Sequence, residues 1–138
     1  MDILNVRVNS LSENESFLRS TIGAYCVRRN PSIETISDVK TAVSEAVTNA
    51  IVHGYDSKKD GYIDVTAKIE NDILYVTIVD YGKGIADVNK ALEDFYTSKQ
   101  DEERSGLGFT IMSSFMDTLE VKSVLGEGTS VMMSKKLA

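Results

Sequence analysis

Residues 61–70 and 73–80 limit the possible folds of this chain more than any other feature: two β-favouring runs separated only by Asn71-Asp72. Asn and Asp tolerate the left-handed backbone that a two-residue hairpin loop requires, so the pair predicts an antiparallel hairpin. In the second run Ile73, Leu74, Tyr75, Val76, Ile78 and Val79 nearly fill the segment. That much apolar surface predicts an interior strand covered on at least one face. A second hairpin is expected from Leu119 to Val124 and Thr129 to Ser134, around Gly126-Glu127-Gly128.

The remaining elements are arranged around these hairpins. Ile3 to Val8 alternates apolar and polar, a first strand. Ser12 and Glu15 have the spacing of a capping box, opening a helix to about Arg29 that Pro31 stops. A longer helix is expected from about Ile33 to Val52, with Ile36, Val39, Val43, Ala46, Val47, Ala50 and Ile51 as its apolar stripe and Gly54 ending it. Shorter helices are expected around Asp87 to Phe95, and after Gly106 and Gly108 to about Met116, with a polar, broken stretch between them. Helices and strands therefore come in blocks. This predicts an α+β two-layer sandwich, helices on one face of a mixed, mainly antiparallel sheet, in one domain over residues 1–138.

Composition narrows the function classes. With 42% hydrophobic and 26% charged residues the chain reads as a soluble globular protein. It has no apolar run near the roughly 20 residues that span a bilayer, and its N-terminus lacks the pattern of a signal peptide. One cysteine, Cys26, allows no internal disulfide and no cysteine metal cluster; a buried hydrophobe in a reducing compartment is expected. The formal charge of −6 argues against nonspecific binding to nucleic acid or anionic membrane. A cytoplasmic location is the expectation.

Three clusters could carry chemistry. Glu45 and Asn49 lie four residues apart, an advance of about 400° along a helix, so they share one edge. Taken alone, the pair reads as a surface acid and a capping-type amide. In a functional reading, the Asn49 carbonyl is a hard oxygen donor suited to Mg²⁺, and Glu45 polarises a hydroxyl or water attacking a phosphoryl group. Asp80 ends the apolar strand and precedes Gly82-Lys83-Gly84. It is either a plain strand-end turn residue or a carboxylate that accepts a hydrogen bond from the exocyclic amine of adenine, with Gly82 and Gly84 letting backbone pass the ring. Arg104-Ser105-Gly106-Leu107-Gly108 opens a helix, as a phosphate site or as a flexible loop. Neither glycine pair is a dinucleotide fingerprint, since the sixth position is Asp87 in one and Ile111 in the other. His53 is read as a helix C-terminal cation.

Together the clusters resemble the GHKL ATPase/kinase superfamily. Glu45 through Ala50 looks like its N box, Asp80 through Gly84 its first glycine box, Gly106-Leu107-Gly108 its second, and Gly128-Thr129 its terminal element, all in family order. Within it, residues 12–17, Ser44 through Tyr55, and Glu103 to Gly106 with Phe109 to Met112 are similar to the anti-sigma F factors of endospore-forming bacteria. That resemblance implies a Bergerat ATP-binding fold, with ATP or ADP as nucleotide, Mg²⁺ on Asn49, Glu45 as catalytic base and Asp80 under adenine. It places Thr97, Ser98 and Thr129 along the nucleotide, and Arg19 and Arg104 at contacts with protein partners. It also implies a homodimer that sequesters a sporulation sigma factor, sigma F, and phosphorylates a serine of an anti-anti-sigma factor. The alternatives are an anti-sigma kinase of the general stress-response branch, or a binding module in which Glu45 is idle. The only histidine lies in the N-box helix and one ATP domain uses all 138 residues, so the phosphoacceptor is expected on another chain.

Overall fold

A computed structural model of the protein describes residues 2–93 and 108–138. The chain runs through β1 (Ile3–Asn9), α1 (Glu13–Cys26), a 3₁₀ turn (Val27–Arg29), α2 (Ile33–Thr48) and a π turn (Asn49–Gly54). It continues through β2 (Tyr62–Glu70), β3 (Ile73–Asp80), α3 (Val88–Glu93), α4 (Phe109–Phe115), β4 (Thr118–Val124) and β5 (Gly128–Lys136). The strands form one sheet in the order β1-β2-β3-β5-β4, and each described pairing is antiparallel. The expected α+β sandwich is therefore observed, with β3 interior between β2 and β5, although the described pairings are antiparallel throughout and not mixed.

The Asn71-Asp72 hairpin forms as predicted, with both loop residues at positive φ (51° and 61°) and Glu70 opposite Ile73. This register puts Val65 opposite Ile78 and Ala67 opposite Val76, so the small and branched side chains of both strands share one face. That face is buried under α1 and α2, where Leu18, Ile22, Val39, Val43 and Val47 are wholly covered. Burying each such side chain stabilises the fold by about 1.5–3 kcal/mol. Of the stripe expected on α2, only Ile36 is half-buried; the other six are buried. Cys26 is buried in the same layer, and burial pushes its thiol up to about 11.

One local expectation fails for a tertiary reason, and another is met with a change of helical winding. The capping box does not form: Ser12 is itself helical (φ −58°, ψ −33°) and makes no side-chain cap. The Glu15 carboxylate instead accepts the Ser44 hydroxyl from α2 and pairs with Arg19 at 3.7 Å. A contact between helices has replaced a contact within one. The long second helix reaches its expected end at Gly54, but its winding changes on the way. After Thr48 it widens into the π turn, with Tyr55 N–H reaching the Ala50 carbonyl at 3.0 Å. Its start is capped by Ser32, whose hydroxyl accepts from Thr35 N–H at 3.1 Å. Among the described residues, no helix is long and apolar enough to cross a membrane.

Candidate functional site

Among the described residues only four polar ones are buried: Ser10, Asn49, Asp80 and Ser134. The two serines hydrogen-bond to neighbouring protein groups, Ser10 to the Lys58 carbonyl and Ser134 to Thr118. Asn49 and Asp80 both border one pocket of about 210 Å³. Its walls are largely apolar, with Ala46, Ile78, Ile85, Phe109 and Val131 around the few polar groups. A small apolar cleft with convergent polar side chains is the usual form of a small-molecule site.

Asp80 lies at the end of β3, 6% exposed, between Ile63 of β2 and Thr129 of β5. Burial holds its carboxyl above the ordinary carboxylate range, partly offset by the N–H groups of Gly82 (3.0 Å) and Thr129 that donate to it. A buried carboxylate is costly unless it is hydrogen-bonded. These two donors leave it further acceptor capacity.

The glycines around Asp80 have different reasons to be glycine. Gly54 ends the helical segment as expected, without a positive φ; a Cβ there would lie 2.9 Å from the Asp80 carboxyl carbon. Gly82 packs on Gly54, whose carbonyl oxygen would be 2.0 Å from a Cβ at position 82. Gly82 thus brings the turn against the π segment, whereas the expectation was passage of backbone along a base. Gly84 does border the pocket, at φ +74°. Its loop is held by the β4–β5 hairpin, through Gly126 N–H to the Lys83 carbonyl at 2.7 Å.

Glu45 lies one turn before Asn49 on α2 and meets the second glycine segment. A Cβ on Gly108 (φ +65°) would come within 2.3 Å of the Glu45 carboxylate. Burial first, and the nearby Glu15 charge second, raise the Glu45 pKa. Its carboxylate is thereby made more basic, the direction that suits proton abstraction. Phe109, directly after Gly108, lines the pocket, so Glu45 sits beside the cavity that Asn49 enters.

Asn49, Asp80, Gly84 and Thr129 therefore converge on one pocket, with Glu45 and Gly108 at its side. Arg19 lies away from it, on α1, at a shallow groove formed with Ile33, Ile36 and Lys40 of α2. Thr97, Ser98, Arg104 and Gly106 lie outside the described residues.

Several pocket residues were not identified from sequence. His53, read as a helix-end cation, lines the cavity, as does Lys83, whose ammonium pairs with Asp56 at 2.8 Å. Ser123 lies behind Thr129 and holds two segments at once. Its hydroxyl is 2.8 Å from Thr129 Oγ1 and accepts Ile85 N–H at 2.7 Å. A lone serine in a strand carries no sequence signal for such a role.

Comparison with known proteins agrees with this geometry. The family model described as "Histidine kinase-like ATPase domain" matches residues 8–135. The anti-sigma F factor of Clostridium beijerinckii is 48% identical over 96% of this chain and 93% of its own. Those of Clostridium acetobutylicum (51%, over 92% and 88%) and Geobacillus thermodenitrificans (42%, over 98% and 92%) are similar across nearly the same span. The crystal structure of the RsbU and RsbW domains of Rv1364c from Mycobacterium tuberculosis superposes with a TM-score of 0.71 at 16% identity, covering 99% of this chain and 32% of that one. At that identity it shares the fold alone. By its family match and its near full-length relatives, the chain belongs to the histidine kinase-like ATPase domain family, in the anti-sigma F factor group.

Proposed function

We propose that this protein is an anti-sigma factor and an ATP-dependent protein serine kinase. It binds sigma F and withholds it from RNA polymerase, and it transfers the γ-phosphoryl group of ATP to a serine of an anti-anti-sigma factor. The observation that carries the nucleotide part is Asp80, a buried carboxylate on the floor of an apolar pocket with Asn49 in its wall. The sigma and anti-anti-sigma partners, the homodimer and the cytoplasmic location rest on similarity to the anti-sigma F factors.

Each residue then has a defined task. Asp80 accepts the exocyclic amine of adenine while Gly82 and Thr129 N–H groups hold it in place. Asn49 offers a side-chain oxygen, the donor type Mg²⁺ prefers. Among the described residues no group of three or more His, Cys, Asp or Glu could hold a metal. The fit is therefore to an ion carried largely by nucleotide phosphates, as Mg²⁺ usually is in kinase sites. When bound, that ion neutralises phosphate charge. Glu45 takes the proton from the incoming serine hydroxyl, and its raised basicity favours this kinase reading over a module in which it is idle. Arg19 and Arg104 contact the protein partners, and Thr97, Ser98, Gly106 and Gly108 cover the phosphates.

Incubation with γ-labelled ATP, Mg²⁺ and a purified anti-anti-sigma protein tests the proposal. Label on a serine of that protein is expected, together with a stable complex with sigma F. Intact sigma binding without transfer would reduce the protein to a binding module.

A further inference from the structure

Two segments distant in sequence are joined beneath the pocket: Gly54 to Asp56, where the π turn ends, and Asp80 to Lys83, where β3 ends. Lys83 N–H donates to the Gly54 carbonyl at 3.0 Å, and the Lys83 ammonium pairs with Asp56 at 2.8 Å. The third link runs through the Tyr55 side chain. Tyr81 N–H donates to the Tyr55 hydroxyl at 2.7 Å, and that hydroxyl donates in turn to the Tyr62 carbonyl at 2.5 Å.

Tyr55 is held firmly enough to act as a fixed point. Its ring is half-buried against the core and lies over Gly61, where an added Cβ would come within 2.5 Å of it. Its own N–H is anchored to Ala50 at 3.0 Å. Burial raises its pKa, so the phenol keeps the proton that it donates to Tyr62. The N–H it receives belongs to the peptide joining Asp80 to Tyr81. Rotation of that peptide would swing the Asp80 side chain and displace the Gly82 N–H that holds the carboxylate.

We infer that Tyr55 is a positioning residue for base recognition: its hydroxyl locks the Asp80–Tyr81 peptide and so aims the carboxylate at an exocyclic amine. The inference rests on the reading of Asp80 given above. A correctly aimed carboxylate accepts from the amine of adenine and repels the carbonyl of hypoxanthine. A loosened one distinguishes the two less well, so Tyr55 contributes to the choice of base without touching it.

Calorimetric titration of ATP and ITP into the full chain tests this, comparing wild type, Tyr55→Phe, Asp80→Asn and, as a control, Tyr75→Phe on the outer sheet face. Tyr55→Phe removes both hydrogen bonds of the hydroxyl, and loss of the one that holds Tyr81 N–H should weaken ATP binding by roughly 2- to 12-fold. The ATP-to-ITP affinity ratio should narrow as well, and Tyr75→Phe should leave both unchanged. A purely structural tyrosine would lower the melting temperature without altering that ratio. Amide exchange at Tyr81, faster in Tyr55→Phe than in wild type, is the second readout. A ratio that narrows in Asp80→Asn but not in Tyr55→Phe overturns the positioning role alone. If Asp80→Asn leaves the ratio unchanged, the reading of Asp80 and this inference fall together.

Discussion

Replacing Asp80 by asparagine separates what this residue does for the nucleotide from what it costs the fold. In the structure the carboxylate already accepts from the N–H groups of Gly82 and Thr129, and the adenine amine would be a third donor. Asparagine keeps one acceptor oxygen and turns the other position into a donor. One of the three donors then faces a donor. A hydrogen bond to a charged group contributes about 1.5–3 kcal/mol, so ATP affinity should fall roughly 10- to 150-fold. The apo fold should respond in the opposite sense. Because burial raises the folded-state pKa of Asp80, its charge opposes folding. That penalty grows as pH rises from the unfolded value, about 3.9, through the raised folded value, and is fully present above it. At pH 7 apo Asp80→Asn should therefore melt at least as high as wild type. In the wild type, ATP affinity should drop as pH falls through the raised Asp80 pKa, since a protonated carboxyl loses acceptor strength. Calorimetry and thermal melts on the same preparations measure both effects. A folded Asp80→Asn variant with unchanged ATP affinity refutes the reasoning.

The other predictions concern the catalytic edge, the partner face and the close glycine contact. Glu45→Ala should keep ATP affinity but slow phosphoryl transfer by about 10²–10⁴-fold, the loss expected for a general base; normal turnover in a radiolabel assay would remove Glu45 from that role. Arg19→Glu should weaken sigma and anti-anti-sigma binding in pull-down titrations while ATP affinity holds. Its exposed 3.7 Å pair with Glu15 stabilises the fold by at most about 1 kcal/mol, so folding should survive. Gly82→Ala places a Cβ against the Gly54 backbone, which cannot swing aside, and should cost about 1–3 kcal/mol in urea unfolding. An unchanged unfolding midpoint would show that the π turn yields more readily than its hydrogen bonds imply.

Much of the fold was legible because its signals are local. Asn71-Asp72 declares its turn through two residues that tolerate positive φ, and the alternating runs beside it follow from the two-residue period of a strand. The α2 stripe follows in the same way from helical spacing. Where prediction failed, a distant partner had replaced a local one. Glu15 has the spacing of a capping box, yet α2 presents the Ser44 hydroxyl to it and the box stays open. Gly54 does end the helical segment, as its sequence position predicts, but the closeness of Asp80, twenty-six residues later, is what leaves no room there for a side chain.

By itself the sequence determined which groups are available: an acid and an amide on one helix edge, a carboxylate after an apolar strand, and glycines where backbone must approach closely. It also determined the family, because four short motifs in one order are far more specific than any one of them. Only the tertiary structure decided how those groups meet. Antiparallel pairing of β3 with β5 sets Thr129 opposite Asp80, and the packing of α2 against α4 sets Glu45 against Gly108. The support from Tyr55 and Ser123 was also a tertiary decision. A hydroxyl's role depends on which backbone group comes within about 3 Å of it. Residue type and spacing carry no record of that distance.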